Sequence, residues 1–150
     1  MTGSVYEPTG FEQLMLEILN AARAYPAGYG RSIGLDLGNV APSQPLAFNL
    51  QLMESSRKHS EDMSNRNFFG HVNPDGLDPG DRIDATGYLW SGYGESIAAG
   101  YDTVDEALRA LIIDDGVSDL GHRKHLLSID AVSATLPEVG IGIVMDGSGQ

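Results

Sequence analysis

The stretch Asn67–Ile83, "NFFGHVNPDGLDPGDRI", sets one histidine between a pair of aromatic rings and a run of turn-forming residues. Phe68 and Phe69 read as anchors that fix the end of a preceding helix in the core, and Asn73-Pro74-Asp75-Gly76 reads as a turn. His71 is therefore held at the surface by local structure on both sides, in a chain with only 4 histidines. A loop histidine alone is a weak functional signal, so its weight depends on what the rest of the chain brings near it.

Upstream, Asn49 is a good N-cap for a helix running to about Asn65 through Leu52, Met53, Ser56, Ser60 and Met63. The serines on that face permit close packing, and His59 falls in mid-helix. Glu54 and Lys58 lie four apart in the favourable order, which as an exposed pair stabilises by only about 0.3–0.5 kcal/mol. Downstream, Asp78-Pro79 reads as an N-cap followed by a first-turn proline, opening a short helix that Gly87 closes.

The same signals place helices farther out. In "FEQLMLEILNAARAY", Phe11, Leu14, Met15, Ile18, Leu19 and Ala22 recur at three- and four-residue spacing; Thr9 and Glu12 have capping-box spacing, and Pro26 stops the helix. The glycines and prolines between Pro26 and Phe48 predict a loop with short ordered pieces. Thr103 and Glu106 cap "VDEALRALIID", whose apolar face is Val104, Ala107, Leu108 and Leu111, and "GHRKHLL" predicts a short final helix. Two stretches read as strands. "YLWSGY" is aromatic-rich, and "EVGIGIV" alternates Val139, Ile141 and Ile143 with glycines, as a strand beside closely approaching backbone would. The class is α+β rather than βαβ. Asp146-Gly147 is a hairpin-turn signal with no second strand after it, so either a partner strand is missing or the end is a polar tail.

Composition narrows the function. The 150 residues suit one domain, with roughly 68–70% of the unfolded chain's surface buried on folding. With 41% hydrophobic and 20% charged residues the chain is globular, and no run approaches the roughly 18 apolar residues of a membrane span. The 9 basic and 21 acidic side chains give a net charge of -12, which repels phosphate backbones and excludes nucleic acid as the expected partner. The absence of cysteine excludes disulfides, thiolate zinc sites and cysteine nucleophiles. The first twenty residues carry Glu7, Glu12 and Glu17 and no lysine or arginine, so they do not form a signal peptide. The protein is then either cytoplasmic or exported by a signal outside this sequence.

The segments "FFGHVNPDGLDPGDRIDATGY", "GYGESIAAG" and "LGHRKHLL", in this order, resemble the CAP superfamily of cysteine-rich secretory, antigen 5 and pathogenesis-related proteins. The likeness extends back through "LMLEILNAARA" and "LAFNLQLMESSRKHSEDM" and is to the bacterial, cysteine-free branch. The resemblance implies an α-β-α sandwich with a central antiparallel sheet, here lacking a C-terminal strand, and an open cleft. It implies a single SCP-like domain over residues 1–150, as a segment of a longer secreted protein. The histidine of the family's "FxH" segment is matched by His71, the glutamate of "GENIA" by Glu95 and the histidine of "GHR" by His122. Two imidazoles and a carboxylate are ligand types suited to zinc, with solvent completing an open site, and calcium is a second candidate through the many Asp and Glu side chains, although no "DxDxDG" loop is present. The chain also departs from the family: Ser96 replaces the usual asparagine, "SDLGHR" replaces "SPGHR", and His125 stands where asparagine is frequent. Some relatives supply a second acid from the helix before "GHR"; Asp114 and Asp115 are the nearest candidates, and Ser96 and His125 complete the set of cleft residues.

Three functions follow as expectations. The first is an extracellular binding module whose cleft takes a metal and a lipid, peptide or cell-wall ligand. The second is a metal-dependent hydrolase in which His71 and His122 hold the ion and Glu95 is the base. A serine hydrolase on Ser96 lacks the "GxSxG" elbow. The third is an adhesive module with an unused cleft.

Overall fold

The computed structural model describes residues 6–145. Its first helix, α1 (Gly10–Ala24), starts at Thr9, whose hydroxyl accepts from the Glu12 amide at 3.3 Å while the Glu12 carboxylate accepts from the Thr9 amide at 2.9 Å. The helix ends at Tyr25, the residue that Pro26 bars from helical conformation. The expected loop after Pro26 instead begins with a second helix, α2 (Pro26–Ile33). Pro26 occupies the first turn, where its missing N–H costs nothing, and Gly34 closes the helix in the left-handed region at φ 73°. The glycines that argued against a helix have a packing use: a side chain on Gly30 would collide with the Leu35 carbonyl.

Next come strand β1 (Ala47–Phe48) and helix α3 (Leu50–Arg66), whose N-cap Asn49 accepts from the Gln51 and Leu52 amides at 2.9 and 3.0 Å. Asp78 and Asp81 cap α4 (Pro79–Asp84) reciprocally, and Thr103 caps α5 (Val104–Ile113). Then follow α6 (Gly121–Leu126), a 3₁₀ turn at Ser133–Thr135 and strand β2 (Glu138–Val139). The main core packs Leu19 and Ala22 of α1 and Leu108 and Ile112 of α5 against Leu37, in the segment after α2, and Leu127, at the end of α6. Helices α3 and α4 form a second group.

Between the two groups runs chain that is neither helix nor regular sheet. The expected antiparallel sheet is not formed among the described residues. The strands β1 and β2 pair in parallel, Ala47 with Glu138 and Phe48 with Val139. A parallel pair is what a long crossover through several helices allows, whereas antiparallel neighbours need only a hairpin. "YLWSGY" is not a strand: residues 89–102 make no backbone hydrogen bond among the described residues. The segment is held by side chains, with Trp90 and Tyr93 packed edge to face at 4.8 Å over Gly80 and the Trp90 indole donating to Asp84 at 2.8 Å. The Asp146-Gly147 turn lies outside the described residues.

After β2 the chain lies along α3, and here the alternation of glycines finds its reason. The Ser56 and Ser60 hydroxyls donate to the Gly140 and Gly142 carbonyls at 3.0 and 2.7 Å, and a Cβ on either glycine would run into α3 backbone. Glu12, fully buried, joins three elements at once. Its carboxylate takes Arg57 of α3 at 2.6 Å and the Ile143 amide at 3.2 Å besides capping α1.

Two measurements test this packing. Gly142→Ala is expected to lower the unfolding free energy by about 1–3 kcal/mol in urea titration, the usual cost of overpacking. Gly10→Ala, with nothing within 4 Å of the new methyl, should stay within about 0.5 kcal/mol of wild type; equal effects of the two would contradict the close approach. For Glu12, burial raises the carboxyl pKa, but Arg57 and the Thr9 and Ile143 amides outweigh that and hold it below the ordinary value. Its stabilisation is therefore complete above the unfolded value of about 4.3 and is lost as pH falls below it. Glu12→Gln should unfold about 3 kcal/mol more easily at neutral pH, the lower end for a broken buried pair, with the gap narrowing in acid. Parallel stability–pH curves for the two proteins would contradict this.

Candidate functional site

His71 sits just beyond α3 in a loop that Asn73 organises: the Asn73 side-chain oxygen accepts from the Asp75 and Leu77 amides, each at 3.0 Å. Of the two preceding rings only Phe68 is half-buried; Phe69 is 59% exposed and anchors nothing in the core. What fixes His71 is a hydrogen bond from its Nδ1 to Glu95 Oε1 at 2.8 Å and one from Arg82 Nη2 to its carbonyl at 2.6 Å. Arg82, on α4, also holds both oxygens of Glu95, Nη1 to Oε2 at 2.8 Å and Nη2 to Oε1 at 3.0 Å. This two-pronged grip is the geometry a guanidinium makes with a carboxylate. Both Glu95 oxygens are thus engaged.

His59, mid-helix on α3 and 3% exposed, stands behind the same carboxylate. Its Nε2 donates to the Gly70 carbonyl at 2.9 Å and lies 4.0 Å from Glu95 Oε1, while its Nδ1 is buried without a protein partner among the described residues. Burial, helped by the Arg82 charge, pulls its pKa below the ordinary histidine value, so the ring is held neutral.

His122 forms a second pair of the same kind. Its Nδ1 donates to Asp114 Oδ1 at 2.8 Å, and Asp114 Oδ2 accepts from the backbone amides of His122 and Arg123 at 3.0 and 3.3 Å. Asp114 is 4% exposed and sits in the left-handed region at φ 55°, where it ends α5 and anchors the start of α6. Arg123 donates to the terminal carbonyls of α5, Ile112 and Ile113, each at 2.7 Å, which fixes α6 against it. Of the two aspartates considered from sequence, Asp115 is exposed in the turn after α5 and bonds neither histidine.

Ser96 and His125 form a third pair, Oγ to Nδ1 at 3.1 Å. Gly94 packs against the same imidazole, while Glu95 faces α4 and the loop after α3, so alternate side chains leave this segment on opposite sides. Burial lowers the His125 pKa, and the charges of both His122 and Glu95 reach its ring. No hydrogen bond or ion pair joins His71 to His122 among the described residues.

A cleft of about 950 Å³ opens between the two helical groups. Its walls are mainly apolar, with Leu52, Met63, Ile97, Leu108, Leu111 and Ile141 among them, and its polar lining includes His59, Glu95, Ser96 and His125. His71 and His122 are not part of that lining; His71 is bonded to Glu95, which is, whereas the Asp114 that holds His122 is not.

The donor chemistry bears on a metal. In each outer histidine a carboxylate accepts from Nδ1–H, so the neutral ring carries its lone pair on Nε2, and no hydrogen bond occupies either Nε2 among the described residues. A carboxylate behind each imidazole is the arrangement usual for metal-binding histidines. A third protein ligand does not fit, because Glu95 is held by Arg82. No group of three or more His, Cys, Asp or Glu side chains is arranged to hold an ion among the described residues. Sequence reasoning missed Arg82 and His59. The only local signal for Arg82 was its place on a short capped helix directly after the histidine loop.

Comparison with known proteins agrees with the motif order. The cysteine-rich secretory protein family (CAP) matches residues 16–150. The chain is 29% identical over 140 residues to YkwD, an uncharacterized protein of Bacillus subtilis strain 168, covering 93% of this chain and 45% of that relative. It therefore spans less than half the length of the curated relative. No solved structure matches it. With a match over nearly the whole sequence and the histidine and glutamate segments in family order, the chain belongs to the cysteine-rich secretory protein family, in a form without cysteine.

Proposed function

We propose that this is an extracellular binding module, a single domain whose apolar cleft takes an amphipathic ligand: a lipid, a peptide or a cell-wall fragment. The observation that carries this reading is the cleft itself. Its volume of about 950 Å³ is at the upper end for small-molecule sites, and a mainly apolar lining with a few convergent polar groups is the usual character of such sites. Beside it, His71 and His122 are the residues that would hold a divalent ion, zinc first. The ion when bound would supply Lewis acidity and a further point of attachment for a ligand's polar end. Glu95 and Asp114 orient the two rings and do not coordinate.

The hydrolase reading is weaker, because Glu95, its base, is already neutralised by Arg82 and bonded to His71. For Ser96, the His125 partner is present but the described residues show no carboxylate hydrogen-bonded to that histidine. Among the described residues no helix is long and apolar enough to cross a membrane.

Trp90, the single tryptophan, lines the cleft and serves as its reporter. Addition of a long-chain fatty acid, an apolar peptide or a muropeptide is expected to change its emission in a saturable way for at least one of them. Emission unaltered across all three classes would count against occupancy of the cleft. Zinc should raise the melting temperature of the wild type, since a ligand stabilises the state that binds it, and His71→Ala with His122→Ala should remove the shift. A shift of equal size in the double variant would place the ion elsewhere.

A further inference from the structure

Part of the cleft wall is bare backbone. Residues 92–101 all line the cleft, and none of them makes a backbone hydrogen bond among the described residues. From Gly94 to Ser96 alternate side chains leave on opposite sides, so this stretch has the shape of a strand without a neighbour. None of residues 92–101 is fully buried, and solvent serves their amides and carbonyls in the free protein. A second stretch of the lining has the same want. The Ile141 amide donates to Met53 Sδ and the Ile143 amide to Glu12 Oε2, each at 3.2 Å, while the intervening Gly140 and Gly142 amides have no hydrogen bond among the described residues. Backbone groups of this kind are a ready template for pairing with another chain.

We propose that the cleft receives an extended peptide as an added β-strand, whose backbone pairs with residues 94–101. This rests on the binding-module reading above and selects one of the ligand classes named there. A fatty chain would strip water from these amides and carbonyls and return no hydrogen bond, which leaves their desolvation uncompensated. A peptide instead brings one donor and one acceptor per residue, at the extended repeat of about 3.3 Å. Both faces of such a strand meet a helical layer, with Leu52 and Met63 of α3 on one side and Leu108 and Leu111 of α5 on the other. Strands covered on both faces are apolar and β-branched along their whole length rather than at alternate positions. With a net charge of -12 on the protein, basic residues at the peptide's ends speed its approach.

The probe is a valine–threonine peptide of about eight residues, an ordinary strand length, with lysines at both ends. It is made unmodified and in two further forms, methylated on the backbone nitrogens of its odd or of its even positions. The changes lie in the peptide, so folding of the protein is not at stake. Trp90 emission gives the affinity, and amide hydrogen exchange gives the place. The unmodified peptide should bind and slow exchange within residues 94–101, and at least one methylated form should bind about tenfold more weakly or worse, as the loss of several ordinary hydrogen bonds implies. Equal affinity of all three forms overturns strand pairing, as does binding that leaves exchange at residues 94–101 unchanged. A long-chain fatty acid that saturates the Trp90 response when no form of the peptide binds also overturns it, and leaves the apolar cleft standing as a lipid site. A mass twice that of the chain in light scattering, with residues 94–101 already slow to exchange, overturns it in favour of a second copy. If no lipid, peptide or muropeptide alters the emission, the binding module and its strand fall together.

Discussion

The Glu12 carboxylate is the contact on which the arrangement of layers depends. Fully buried, it closes the start of α1, receives Arg57 from α3 and holds the Ile143 amide of the last described segment. An ionised carboxylate is tolerated in a dry position only when its lone pairs are met, and here three elements distant in sequence meet them. Because α1 belongs to the core with α5 and α6, and α3 belongs to the other helical group, this contact sets the separation across which the cleft opens.

The parts of the fold that could be read from sequence are those whose causes are local. Thr9 with Glu12, Asn49, Asp78-Pro79 and Thr103 each supply a helix start within a few residues, and all four cap the helices expected of them. Gly140 and Gly142 signalled close backbone approach, and α3 is what approaches. The failures are non-local. The helix α2 was hidden because glycines that weaken a helix in isolation are required there by the Leu35 carbonyl and the Tyr25 ring. The strand expected in "YLWSGY" was misjudged because a strand is defined by its partner, and a run of aromatic residues does not say whether one lies alongside, while "EVGIGIV" forms a strand only at Glu138–Val139.

The site follows the same division. Family likeness drew attention to His71, Glu95 and His122, but not to what each would touch. Glu95 reads from sequence as a base or ligand, and the structure binds it to Arg82 and His71; Asp114 reads as a cleft acid, and it holds the His122 ring from behind. Both acids are of the right type in the right region, yet their roles depend on cations and amides supplied by other elements. Composition cannot carry that information. A histidine flanked by an acid reads the same whether the acid is free or already taken.

Asp114 makes helix geometry and ring orientation inseparable. One oxygen fixes the His122 imidazole while the other secures the first amides of α6, and the backbone there adopts a left-handed turn that aspartate tolerates better than most residues. Drift at this position is thus constrained twice over. Asparagine would keep the turn but change the hydrogen-bonding character behind the imidazole, and glutamate would set its carboxyl a methylene farther out and disturb the amides. A lineage that abandons the pair would have to rebuild the junction between the two helices as well, so replacement of this one side chain carries a cost in the backbone as well as at the ring.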